Sequence, residues 1–174
     1  MKIIGVDPGY AIVGWGVLNY NNSKFLTIDY NAITTLAQEQ FSKRLEIIYD
    51  EISYVLNVYK PDCISIEKLF FSANKKTAID VAQARGVILL AAKKFNIPIF
   101  EYAPVEVKQS IAGYGRATKK QVMDMVKLTL NLKKIPKPDD VADALALAVA
   151  HAHCSFSKLF LLKENLWYTA FVES

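Results

Sequence analysis

The feature that most restricts how this chain can fold is the order of its hydrophobic runs. Three strand-length runs come first, at Lys2–Asp7, Ala11–Tyr20 and Lys24–Ile33, with no room for a helix between them. Asp7-Pro8-Gly9 forms the first turn, and Asn21-Asn22 reads as a hairpin turn. Strands joined this tightly can only pair as an antiparallel meander. The period then changes. Phe41, Leu45, Ile48, Ile52, Val55 and Leu56 recur at spacings of three and four, the mark of an amphipathic helix, which Lys60-Pro61-Asp62 stops. A short apolar strand, Cys63–Glu67, follows, then a helix from about Lys75 to Phe95 and a strand at Ile97–Tyr102. A helix beginning near Pro104 is broken by Gly113-Tyr114-Gly115. Thr118 then caps a helix from Lys119 to about Leu130. After Pro136-Lys137-Pro138, a last helix is expected from Asp139 or Asp140 to about His153.

A meander followed by strand–helix alternation predicts an α/β fold: a five-stranded mixed sheet, antiparallel then parallel, flanked by helices. This is the element order of ribonuclease H-like folds. The chain of 174 residues has length for one core and shows no repeat or low-complexity tract. Residues 1–154 are expected to form that domain. The remainder, 155–174, is unusually apolar, with Phe156, Leu159, Phe160, Leu166, Trp167 and Phe171. Lys158, Lys163 and Glu164 punctuate it, so a packed or partner-binding helix is expected, ahead of a membrane-surface one. No run reaches the ~20 apolar residues that span a bilayer. An acid interrupts the short apolar start, so no signal peptide is read there. Two cysteines are too few for a disulfide framework, and reduced thiols in the cytoplasm are expected.

Four acids stand where elements begin or end. Asp7 closes the first strand and Glu67 the fourth, and sites in open α/β sheets gather beyond strand ends. Asp140 and Asp143 share one face in the first turn of the last helix. Asp139 also lies within reach of Asp143, and spacing does not choose between it and Asp140. If this helix packs beside the first strand, the acids converge. Converging carboxylates raise one another's pKa unless cations intervene. No His or Cys set accompanies them, so the ligands are hard oxygens suited to Mg²⁺ or Mn²⁺, not Zn²⁺. Two such ions, roughly 3.5–4 Å apart, can activate water and stabilise a leaving oxygen in phosphodiester hydrolysis. Each acid also has a plain reading: a turn at Asp7, a polar strand end at Glu67, and dipole complementation at the last helix.

Charge is segregated along the chain. Residues 68–137 carry 14 Lys/Arg against 4 Asp/Glu, while the rest of the chain carries 7 against 13. A basic centre beside an acidic remainder suits a polyanion that must approach carboxylate-bound metal. Lys75, Lys76, Arg85, Lys108, Arg116, Lys119 and Lys120 are the phosphate-binding candidates. Lys119 and Lys120 sit at a helix start, where cations are disfavoured by the dipole but phosphate is welcome. Phe70 and Phe71 follow Glu67 in an expected loop, where an exposed aromatic can stack on an unpaired base. For Phe71 a core or interface role is the simpler reading. His151 and His153 stand too far along the last helix to ligate metal there and are read as packing or C-terminal dipole residues.

Together these pieces resemble the bacterial RuvC crossover-junction endonucleases. Ile4-Gly5-Val6-Asp7-Pro8-Gly9 with Gly14-Trp15-Gly16 looks like the family's opening, and Ile66-Glu67 with Phe70 like its second acidic motif. Gln83-Ala84-Arg85-Gly86, Val107-Lys108-Gln109 and Gly113-Tyr114-Gly115 match further signatures. Asp140-Val141-Ala142-Asp143-Ala144-Leu145-Ala146 with His151 and His153 resembles the closing motif. The match is colinear over about residues 1–153, and its order and spacing make it specific. The resemblance implies a Mg²⁺-dependent homodimer that makes paired nicks in a four-way DNA junction, leaving 5′-phosphate ends, with a branch-migration motor as partner, in recombination and repair. It implies Asp7, Glu67, Asp140 and Asp143 as metal ligands with two ions, favouring Asp140 over Asp139. It implies Phe70 as base-contacting, and Lys108 and Lys119 as tied to catalysis or DNA binding. The apolar tail and Lys68 depart from the pattern.

Three other readings stand against this one. An actin-like phosphotransferase also opens with a strand–Asp–Gly hairpin, but needs a second hairpin and domain that the chain has no room for. A non-catalytic junction-binding module would keep the basic face without four convergent acids. A ribonuclease H-fold nuclease acting on another structured nucleic acid is disfavoured only by the resemblance.

Overall fold

The computed structural model describes the backbone of residues 1–69 and 75–172 and the side chains of residues 1–69 and 78–155. The side chains of Phe70, Phe71, Lys75 and Lys76, and those of the tail from 156 onward, lie outside the described residues.

Strands β1 (Lys2–Asp7), β2 (Ile12–Asn21) and β3 (Lys24–Thr34) form the expected antiparallel meander. Helix α1 (Phe41–Tyr59) leads to β4 (Cys63–Glu67), α2 (Lys75–Lys94) to β5 (Ile99–Tyr102), and α3 (Pro104–Ala112), α4 (Lys119–Thr129) and α5 (Asp139–Val172) complete the chain. The sheet order is β3-β2-β1-β4-β5, with β4 parallel to β1 and β5 parallel to β4. This is the predicted ribonuclease H-like mixed sheet.

Strand periodicity sends alternate side chains to two cores. Ile4, Val6, Ile64 and Ile66 join Ile48, Ile52 and Ile88 on the α1/α2 face. Ile3 and Cys63 join Val107, Val126 and Leu145 on the face of α3, α4 and α5. Continued by one step, the same alternation turns Asp7 and Glu67 toward the α5 face. Each fully buried aliphatic side chain contributes roughly 1.5–3 kcal/mol, so a one-residue slip in either strand would cost both cores.

Helix α5 rests directly on the sheet because the strands have glycines beneath it. A Cβ on Gly5 would overlap the Ala144 carbonyl oxygen, and one on Gly14 the Asp140 carbonyl. On β4, the buried Ser65 hydroxyl donates to the Leu147 carbonyl oxygen at 2.7 Å. The first turn of α5 is thereby pinned over the ends of β1 and β2.

Several boundaries differ from expectation for identifiable reasons. The hairpin turn falls on Asn22-Ser23, with Asn21 paired to Lys24. Both turn residues have positive φ, 48° and 61°, as a two-residue turn matching the strand twist requires. Strand β5 starts at Ile99, because the Ile97 amide is bonded to the Ala92 carbonyl as the α2 terminus closes through Asn96, φ 55°. The last helix runs to Val172 instead of ending near His153. No Gly or Pro follows Pro138, so nothing in the sequence breaks it. His151 and His153 are therefore mid-helix, not C-terminal dipole residues.

The glycine contacts can be tested. Gly5→Ala or Gly14→Ala should lower stability by about 3 kcal/mol, because backbone atoms cannot rotate away from the new methyl. Gly86→Ala, an exposed α2 position where nothing lies within 4 Å, should instead add up to about 1 kcal/mol. Chemical denaturation of the three variants measures both effects, and equal stabilities for Gly5→Ala and the parent would contradict the packing argument.

Candidate active site

The parallel pairing of β1 with β4 carries Val6 opposite Ile66, so Asp7 and Glu67 emerge side by side at the same sheet end. Helix α5, seated on Gly5 and Gly14, brings Asp140 and Asp143 over them. The four acids named from the sequence thus lie within mutual electrostatic reach. Burial raises the Asp7 carboxyl most, and Asp143, Glu67 and Asp140 raise it further, pushing its pKa up to about 8. The Lys119 ammonium opposes them. Burial likewise raises Glu67, aided by Asp143 and opposed by Lys119 and Lys108. Asp143 is raised by burial despite its hydrogen bond from Lys119.

Lys119 is positioned by a capping box. Thr118 Oγ1 accepts from the Gln121 amide at 3.3 Å, and Gln121 Oε1 accepts from the Thr118 amide at 2.9 Å. Its ammonium then lies 2.8 Å from Asp143 and 3.7 Å from Asp139. Asp139 turns outward to Lys137, 2.5 Å away, and that bond holds its carboxyl below the usual range. Asp140 is among the charges acting on Asp7.

Beside the acids opens a cleft of about 230 Å³, lined by Glu67, Asp143, Lys108 and Lys119, with Val107, Val122, Ala146 and Leu147 among its apolar walls. It lies where α3, α4 and α5 meet β4. Carboxylates and lysines on one rim can face a phosphate and a cation together. The donor set is all carboxylate oxygen, which fits a hard divalent cation. A cation would also relieve the burden on Asp7, whose ionisation burial and three like charges oppose. As the side chains stand, no three Asp, Glu, His or Cys groups among the described residues are drawn tightly enough to enclose an ion. Lys119 holds Asp143 instead.

The remaining candidates divide. Lys108 and Lys119 reach the cleft. Arg116 and Lys120 are exposed on the α3–α4 connection and the first turn of α4. Arg85 is not a free surface cation: its Nε donates to the Glu67 carbonyl oxygen at 3.1 Å, and its guanidinium is ion-paired with Glu101. Lys68 lies 3.8 Å from Glu106, whose carboxylate accepts from the Ala103 amide at the start of α3. His151 is buried, with its Nδ1 2.7 Å from the Tyr102 hydroxyl, as a packing residue. Sequence reasoning missed the Arg85–Glu101 pair and the Ser65 tie, since neither follows from spacing along one element.

The acid cluster makes a pH prediction. The folded state keeps the Asp7 proton up to about pH 8, whereas the unfolded chain releases it near 3.8. Between those values the folded state binds more protons, so stability falls as pH rises. In chelating buffer, Tm should drop across this window. Asp7→Asn should flatten the drop, and a divalent cation should restore Tm more at the upper end than at the lower. A Tm that climbs through the window would refute the electrostatic account.

Known proteins bear on these features. The sequence profile of the family described as "Crossover junction endodeoxyribonuclease RuvC" matches residues 3–151. A protein of that name from Ruminiclostridium cellulolyticum is 58% identical over 153 residues, 88% of this chain and 92% of that protein. The Thermus thermophilus RuvC structure superposes with a TM-score of 0.84 at 34% identity, covering 91% of this chain and 97% of that one. The structure of T. thermophilus RuvC in complex with Holliday junction substrate gives 0.83 at 32%, covering 90% and 96%. By profile, by identity along most of its length and by backbone geometry, this chain belongs to the RuvC family of crossover junction endodeoxyribonucleases.

Proposed function

We propose that this protein is a Holliday junction resolvase, a crossover junction endodeoxyribonuclease that makes paired nicks in four-way DNA junctions during recombination and repair. One observation carries the reading: acids from β1, β4 and α5 meet at one sheet end, beside a cleft that also presents Lys108 and Lys119. Family membership and the likeness to a junction-bound RuvC structure support it.

In this reading Asp7, Glu67, Asp140 and Asp143 hold two Mg²⁺ ions, with Mn²⁺ able to substitute. When bound, the ions supply Lewis-acid chemistry for attack by water and departure of the 3′ oxygen, leaving 5′-phosphate ends. Lys108 and Lys119, at the cleft, neutralise the phosphate that approaches four acids. Arg116 and Lys120 extend that attraction along the DNA backbone. Phe70, directly beyond the site strand in sequence, is assigned to stack on a base at the junction centre. A four-way junction has two-fold symmetry, so two opposed nicks call for two active sites in an isologous homodimer. Residues 1–154 are the nuclease domain, and the tail from 155 to 174 is a packed or partner-binding helix. A branch-migration motor is the proposed partner, and the cytoplasm, where bacterial DNA is recombined, the proposed compartment. Among the described residues no helix is long and apolar enough to cross a membrane.

Incubation with a synthetic four-way junction and with linear duplex, each with and without Mg²⁺, is the decisive assay. Symmetric paired nicks on the junction alone, and only with Mg²⁺, are expected. Asp7→Asn should abolish cleavage while junction binding persists or tightens, since a negative charge is removed. Undiminished cleavage by that variant would end the carboxylate assignment. Lys120→Ala and Arg116→Ala should weaken binding equally for all sequences. Each cation removed from a phosphate should make the log–log salt slope shallower by about 0.9.

A further inference from the structure

Among the basic side chains that charge alone assigns to phosphate, Arg85 is turned inward. It projects from α2 across the ends of two parallel strands. Its Nε donates to the backbone carbonyl oxygen of Glu67, the last residue of β4, at 3.1 Å. Its terminal nitrogen pairs with Glu101 of β5, which lies opposite Ile66 in the strand register. The Arg85 side chain is 11% exposed, against 43% for Glu101. The residue after Glu67, Lys68, has its amide bonded to the Tyr102 carbonyl oxygen at 2.9 Å. Lys68 and Leu69 lie outside the strands. The backbone at Glu67 is thus held on one side by β5 and on the other by a guanidinium.

We propose that Arg85 is a positioning residue: clamped by Glu101, it fixes the backbone at Glu67 and so aims that carboxylate into the site. This inference rests on the reading of Glu67 as a metal ligand. The physical reason lies in where the strand ends. Up to Ile66 the position of β4 is set by pairing with β1, but that pairing stops at Val6 and Ile66. Glu67 must hold its carboxylate beside three others that repel it. Held by β5 only through the Lys68 amide, its peptide could still tilt and let the carboxylate swing away. A guanidinium bonded to its carbonyl oxygen removes that freedom, and a planar fork bonded also to a carboxylate is itself held in one orientation. Groups that orient metal ligands in this way are worth roughly 10–100-fold in metal affinity. The expectation drawn from charge alone, that Arg85 contacts phosphate, predicts otherwise. Its Nε and one terminal nitrogen are bonded inside the protein, and Glu101 neutralises it.

The test compares Arg85→Gln, Glu101→Gln and Asp7→Asn with the parent protein. Mn²⁺ binding is followed by the EPR signal of the free ion, with no DNA present, and junction binding is measured separately in chelator. If Arg85 positions Glu67, both Arg85→Gln and Glu101→Gln weaken Mn²⁺ binding about tenfold. Both then leave junction binding within about twofold of the parent. Glu101 is well exposed, so its variant keeps the test valid if loss of Arg85 disturbs folding. Unchanged Mn²⁺ affinity in Glu101→Gln overturns the proposal. So does a pattern in which Arg85→Gln weakens junction binding while Glu101→Gln strengthens it, which would make Arg85 a phosphate contact restrained by Glu101. Failure of the site itself reads differently: Asp7→Asn would then bind Mn²⁺ as well as the parent.

Discussion

The approach of α5 to the sheet is the constraint on which the rest depends. The helix lies with its backbone almost against β1 and β2, and the bare positions Gly5 and Gly14 make that possible. An α-helix packed over ordinary side chains would stand several ångströms higher, lifting Asp140 and Asp143 away from Asp7. The Ala-rich face of α5 and the Ser65 bond to the Leu147 carbonyl hold the same contact further along. Interior packing at near-crystalline density leaves little slack, so a gain of one methyl at the interface is felt at the site. The glycines of β1 and β2 therefore serve the site through the backbone of α5, which they let approach at Ala144 and Asp140.

That packing creates an electrostatic problem which defines the chemistry. Three acids act on a withdrawn Asp7, and the opposition comes from a lysine at the start of α4. The Thr118–Gln121 capping box places that lysine where a helix dipole disfavours a cation. The acids compensate for this locally, and the lysine lessens their mutual repulsion. Such an arrangement favours binding of cations and anions side by side, which is what a phosphodiester approaching bound metal demands. On the opposite side of the strand ends, two arginines hold backbone instead of substrate. Arg44, nearly buried, donates to the Tyr10 carbonyl oxygen just past the Asp7 turn, and Arg85 does the same at Glu67. Two of the four acids thus leave strand ends whose following or own backbone is tied by a guanidinium.

Much of this was legible in the sequence because it depends on local order. Strand runs with no helix between them forced a meander, and the change of period at Phe41 announced α1. Thr118 advertised the start of α4 through its cap. The acids stood out as candidates because each sits at an element end, though spacing alone left Asp139 and Asp140 equal. Some local details went astray through rules finer than hydropathy. The hairpin slipped by one residue to put Asn22 and Ser23 in left-handed backbone. The last helix ran on because nothing after Pro138 breaks it, which moved His151 and His153 to mid-helix.

The sequence by itself determined the elements, their order and which acids fall at element ends, since these follow from side-chain periodicity and chain connectivity. Only the tertiary structure decided how near α5 comes to the sheet, that Lys119 would bond to Asp143, and that Arg85 would turn inward to Glu67 and Glu101. Each of these joins residues from different elements. Their distance is set by packing and strand register, and one-dimensional spacing carries no information about either.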